Sequence, residues 1–139
     1  MPEAFLLKRI TITQRFTLGK GERLKSRKLI ERVFREGKNF SVYPFRISWI
    51  VMEAVGGVQA GFGASSRNFK KAVDRNRIKR LMREAYRLQK QELVDELAGQ
   101  KNTFLAVFFI YTGKELPDYG AVSEKIGVAL QKLIKETLK

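Results

Sequence analysis

Between Arg75 and Arg87 the chain carries five arginines and one lysine, in the run Asp74-Arg75-Asn76-Arg77-Ile78-Lys79-Arg80-Leu81-Met82-Arg83-Glu84-Ala85-Tyr86-Arg87-Leu88. A planar guanidinium can bridge two phosphate oxygens and stack on a base, which an ammonium cannot do. On a helical wheel of roughly 100° per residue with Arg75 at the origin, Lys79, Arg83, Asn76, Arg87 and Arg80 fall between about 40° and 140°. Leu88, Leu81, Ala85, Ile78 and Met82 fall between about 220° and 340°, with Arg77 at the border. Such a helix lays its apolar side on a core and offers the other to phosphates. Arg67, Lys70 and Lys71 come just before it. The candidate RNA contacts are therefore Arg67, Lys70, Lys71, Arg75, Asn76, Arg77, Lys79, Arg80, Arg83 and Arg87. Asp74 is expected as the helix N-cap.

A solvated basic face would show the same spacing, so the charge distribution has to decide. Lys and Arg number 28 against 14 Asp and Glu, a formal net of +14. Residues 8–90 hold 22 basic and 6 acidic residues, a net of +16, while residues 91–139 hold 6 and 7. A surplus confined to one part of a folding chain points to a polyanionic partner.

Other chemistries find little support. The chain has no Cys and no His, which removes disulfides, zinc and iron–sulfur ligation and every thiol or imidazole mechanism. Through residue 90 the carboxylates are scattered, mostly beside Lys or Arg. Glu92, Asp95 and Glu96 lie at helical spacing and read as a solvated face, not as a two-metal site. No cofactor is expected on the protein itself. The first residues lack a signal-peptide core, and the longest apolar run, Phe104–Tyr111, is too short to span a bilayer as a helix. A cytoplasmic protein without a membrane partner is expected.

The elements that must position these residues fit one domain of 139 residues. Residues 1–21 form an N-terminal arm without periodicity, expected to be extended or mobile; residues 22–139 form the domain. Ser26 caps a helix to Glu36, closed by Gly37, with Leu29, Ile30, Val33 and Phe34 at helical spacing. Residues 39–65 read as a three-stranded meander with a turn at Gly56-Gly57. Phe45, Ile47, Trp49 and Val51 share one face of its second strand; Arg46, Ser48, Ile50 and Met52 share the other. The arginine-rich helix runs to about Leu97. Thr103–Tyr111 is apolar on both faces, an interior strand. A last helix from Tyr119 to Leu138 turns Val122, Ile126, Ala129, Leu130, Leu133 and Ile134 inward. The expected class is α+β: an αβββαβα two-layer sandwich on a four-stranded mixed sheet.

The run Arg75–Glu84 resembles the arginine–asparagine–arginine signature of the bacterial ribonuclease P protein subunit. Leu24-Lys25 with Val33-Phe34-Arg35-Glu36-Gly37 is similar to that family's first helix. Ala60-Gly61-Phe62-Gly63-Ala64-Ser65 resembles its strand before the basic connection, and Ala72-Val73 precede the signature. The resemblance covers roughly residues 22–138. It departs at Ser66–Lys71, which lacks the family's frequent Gly and is one residue longer. The resemblance implies a left-handed βαβ crossover. It also implies a non-catalytic subunit of an endoribonuclease whose RNA removes the 5′ leader of precursor transfer RNA. The implied partners are ribonuclease P RNA and that precursor, with Mg2+ in the holoenzyme. By position, Ile30, Phe34 and Ser48 would line a leader cleft, although the same stripe spacing suits core residues.

The alternative is a ribosomal or general structured-RNA-binding protein, which composition alone permits. An RNA-recognition module fits poorly: Ala64 and Ser66 stand where its strand motif needs aromatics, and the helix comes first.

Overall fold

The computed structural model describes residues 20–54, 57–100 and 102–137. The expected N-terminal arm, apart from its last two residues, lies outside the described residues, as do Gly56 and Leu138. After a short 3-10 turn at Lys20–Glu22, helix α1 spans Arg27–Glu36. Strands β1 (Lys38–Val42), β2 (Phe45–Glu53) and β3 (Gly57–Ala64) follow. Then come α2 (Ala72–Gln89), α3 (Gln91–Ala98), β4 (Thr103–Tyr111) and α4 (Tyr119–Thr137). The mixed α+β class and the element order agree with the sequence reading, apart from the break after α2.

The ends of α1 are set locally. The Ser26 hydroxyl accepts from the Leu29 N–H at 3.3 Å, and the Gly37 N–H donates to the Val33 carbonyl at 3.0 Å. This satisfies groups that a helix end leaves unpaired. At the far end of the chain Asp118 Oδ1 accepts from the Ala121 N–H at 2.8 Å, opening α4.

The sheet order is β1-β2-β4-β3. The expected meander is therefore wrong at its last step. β2 pairs antiparallel with β4, and β3 pairs parallel with β4 on its other side. β4 is apolar on both faces, so it gains most from the interior position, and it displaces β3 to the edge.

Each face of the sheet has its own helices. On one, Phe45, Ile47 and Trp49 of β2 and Leu105, Val107 and Phe109 of β4 pack against α2, α3 and α4. The buried positions of α4 are the six expected from its periodicity. On the other face α1 is the one helix among the described residues, burying Val33 against Phe104, Ala106 and Leu24, with Ile30, Ile50, Met52 and Phe108 around them.

The long second helix divides at Lys90, a correction to the expected run to Leu97. The Lys90 side chain is 2% exposed, and its ammonium donates to Glu22 Oε1 at 2.5 Å. A buried ammonium needs a carboxylate close by, and this one arrives from the 3-10 turn, 68 residues earlier in the chain.

Gly37 couples α1 to the sheet by absence of a side chain. A Cβ there would stand 2.3 Å from the Val33 carbonyl oxygen and 2.6 Å from that of Trp49. Its φ of −75° is ordinary, so the requirement is space, not backbone freedom. Gly37→Ala should lower unfolding free energy by about 1–3 kcal/mol, the usual range for overpacking. Denaturant titration would contradict this with a change under roughly 0.5 kcal/mol.

Candidate RNA interface

α2 begins at Ala72, not after Asp74 as expected. Lys71 occupies the cap position without a side-chain hydrogen bond, and Asp74 falls in the first turn. Its carboxylate there complements the positive end of the helix dipole. Ile78, Met82, Ala85 and Tyr86 are buried. Tyr86, at about 20° on the same wheel, was not assigned to the apolar side. Its ring packs on Phe62 at 5.5 Å and on Phe109 at 5.9 Å. This rotates the buried arc toward Arg75 and Lys79 and swings Leu88 outward, to 41% exposure. Burial, then the charge of nearby Glu22, drives the Tyr86 pKa well above the normal phenol value.

The rotation sorts the cations. Asn76, Arg77, Arg80 and Arg83 are exposed, as are Arg67, Lys70 and Lys71 in the preceding loop. Arg75 is half-buried, and its Nη1 donates to the carbonyls of Phe69 at 2.7 Å and Lys70 at 2.8 Å. It holds the loop. Arg87 pairs with Glu84, its Nε donating to Glu84 Oε2 at 3.1 Å. That hydrogen bond, opposed by some desolvation, holds the Glu84 carboxyl below its normal pKa of 4.5. Any stabilisation from the pair is therefore present at neutral pH and lost as pH falls through the lowered value.

The loop without glycine is built by other means. Phe69 is buried against Tyr111, and its N–H donates to the Ser65 carbonyl at 3.0 Å. Asn68 Nδ2 reaches the carbonyls of Thr112 at 3.1 Å and Gly113 at 3.3 Å. With Arg75 these contacts fix where Arg67, Lys70 and Lys71 project.

The leader-cleft residues fare differently from one another. Phe34 is 46% exposed and stands edge-on to Phe108, ring centres 5.1 Å apart. It is no core plug. Ile30 is half-buried beside them. Ser48 lies on the same face, opposite Phe108 in register, but is only 6% exposed. Phe108 itself went unrecognised within an apolar run. It rests against Gly61 and Gly63, where a Cβ would come within 2.6 Å and 3.1 Å of its ring. The parallel register Gly61↔Phe108 and Gly63↔Ile110 creates this shelf, and a meander could not have suggested it. Farther along, Arg46, Arg67 and Lys114 stand around an open hollow beside Ile110. Arg46 was legible as Ser48's face-mate; Lys114 carried no signal.

Arg75→Ala should cost about 1–2 kcal/mol of stability, since two charge-assisted hydrogen bonds to the loop are lost. Arg80→Ala should stay within roughly 0.5 kcal/mol of wild type. It should instead flatten the slope of log K against log[salt] for RNA binding by about 0.9. Paired denaturation and binding titrations separate the two roles, and equal stability losses would refute the assignment.

Comparison with known proteins gives the family. The ribonuclease P family model matches residues 18–133. A Porphyromonas gingivalis ribonuclease P protein component is 36% identical over 117 residues, covering 83% of this chain and 85% of its own length. One from Chlorobium phaeobacteroides is 33% identical over 123 residues, covering 79% of this chain and 83% of its own. The solved Staphylococcus aureus RNase P protein superposes with a TM-score of 0.61 at 17% identity, over 81% of this chain and 94% of that one, a likeness of fold. With the signature helix exposed on a fold of this kind and a family match across most of its length, the chain belongs to the ribonuclease P protein family.

Proposed function

We propose that this chain is the RNA-binding protein component of a ribonucleoprotein that matures transfer RNA at the 5′ end. Arg77, Arg80 and Arg83, with Arg67, Lys70 and Lys71, neutralise phosphates of ribonuclease P RNA, Asn76 donates a hydrogen bond beside them, and the Phe34–Phe108 cleft takes the single-stranded 5′ leader of the precursor. The observation that carries the reading is that one side of α2 is core while its exposed side carries Arg77, Arg80 and Arg83 beside Asn76. A half-exposed ring backed by a second ring suits sequence-tolerant stacking on leader bases.

The chemistry belongs to the RNA. The protein contributes charge: each phosphate it neutralises is one fewer that needs a counterion, so the complex works at lower magnesium. Mg2+ is assigned to the holoenzyme, with no cofactor on the protein. Among the described residues no helix is long and apolar enough to cross a membrane, and the proposed setting is the cytoplasm, where precursor transcripts are processed.

Two outcomes test this. Purified protein alone should not cut precursor transfer RNA with any divalent metal, yet should stimulate ribonuclease P RNA most where magnesium limits. Site-specific cleavage by RNA-free protein would refute the division of labour. Binding without stimulation would favour a general structured-RNA binder.

Phe34→Ala should cost about 1–2 kcal/mol of stability, against roughly 3–5 for a buried ring. It should weaken binding of a long-leader precursor by about 1–3 kcal/mol, the range for a lost stacked base. A nearly leaderless precursor should be barely affected. Equal weakening of both would move Phe34 out of the leader site.

A further inference from the structure

Residues 20–25 run along the outer edge of β3. Gln59 Nε2 donates to the Gly21 carbonyl at 3.2 Å, Arg23 forms a parallel bridge with Ala60, and the Leu24 N–H donates to the Ala60 carbonyl at 2.9 Å. Glu22, within this segment, holds the buried Lys90 ammonium. Among the described residues the coverage stops there. By the alternation of strand backbone, Phe62 turns its N–H and C=O toward the same edge as Ala60, past the end of the covering segment.

At that uncovered edge lies a groove of about 350 Å³. Its lining includes Arg23 and Lys25 from the covering segment, Lys79 and Arg83 of α2, and the apolar Ile30 and Phe108. Among the described residues that line it there is no carboxylate. Four cations beside apolar side chains suit single-stranded RNA, with phosphates on the cations and a base on the apolar groups. The volume lies near the lower end of the roughly 300–1,000 Å³ typical of small-ligand sites. Because Ile30 and Phe108 also serve the cleft, a strand in the cleft can continue into this groove.

We infer that residues 20–25 are a wall of the leader-binding surface, with Arg23 and Lys25 on leader phosphates and the Glu22–Lys90 ion pair as the positioning device that holds the wall. The inference rests on the proposed leader cleft and adds to it a segment outside the three cleft residues Ile30, Phe34 and Ser48.

The test uses the assembled holoenzyme with long-leader and nearly leaderless precursors. The Arg23→Ala/Lys25→Ala double variant should bind the long-leader substrate more weakly. Its salt slope should be flatter by about 1.4, for two single-strand contacts at roughly 0.7 each. The nearly leaderless substrate and the affinity for the RNA subunit should not change. Glu22→Gln and Lys90→Met should reproduce the leader-selective loss. In either background the double variant should add less than it does alone, since the sites act as a unit. Lys90→Arg should restore part of the selectivity. Should Lys90→Met fail to fold, Glu22→Gln, on a side chain 35% exposed, carries the test.

Unchanged leader binding in Arg23→Ala/Lys25→Ala would overturn the inference while Phe34→Ala stays leader-selective; if neither variant is selective, the leader cleft fails with it. Equal weakening of both substrates would assign the wall to the RNA subunit and also overturn the inference. An unfolding midpoint lowered in Glu22→Gln without any split between substrates would leave the ion pair no positioning role.

Discussion

β4 is the strand on which both surfaces depend. It pairs with β2 on one side and β3 on the other, and it is apolar on both faces. Leu105, Val107 and Phe109 anchor the core beneath α2 and α4, while Phe104, Ala106 and Phe108 carry α1. The same insertion makes β3 an edge strand and forces a parallel return through α2. The basic helix and the aromatic cleft consequently lie on opposite faces of one sheet, with the edge of β3 between them. A substitution that loosened β4 would disturb both at once.

The positive charge is not all available to a partner. Arg75 holds the loop before α2, Arg87 is joined to Glu84, and Lys90 is buried on Glu22. Lys132 sits 4.9 Å above the Phe40 ring. These contacts restrain flexible cations that would otherwise lose conformational entropy on meeting RNA, but each also engages a group that could face phosphate. A formal charge therefore overstates the phosphates one such protein can neutralise. The exposed set on α2 and its loop is the better guide to the salt dependence.

Much of this was legible in the sequence because it rests on short-range rules. The Ser26 cap, the Gly37 stop, the six inward positions of α4 and the interior character of Thr103–Tyr111 follow from spacing and residue type alone. What failed depends on contacts distant in sequence. The wheel placed Leu88 inward and left out Tyr86, since the direction of the core is set by Phe62 and Phe109, which the helix does not contain. Ser48 was assigned to the correct face, but its burial beneath neighbouring side chains is a tertiary fact. Phe108 became visible only once Gly61 and Gly63 lay beside it, a consequence of a register no local pattern encodes. The burial of Lys90 on Glu22, 68 residues earlier, is likewise out of reach of a local pattern.

The titratable groups follow the same logic. With no histidine, the chain has no side chain whose ordinary pKa lies near neutrality. Where the fold does move a pKa, it moves it further from neutrality: Glu84 is lowered by its hydrogen bond from Arg87, and Tyr86 and Tyr111 are raised first by burial. No histidine is present through which proton uptake near neutrality could alter the charge of the chain. Attraction to phosphate is then modulated by the ionic atmosphere, through counterion release and competition from divalent cations, and not by proton uptake. A protein arranged in this way responds to ionic conditions without being confounded by a histidine titration.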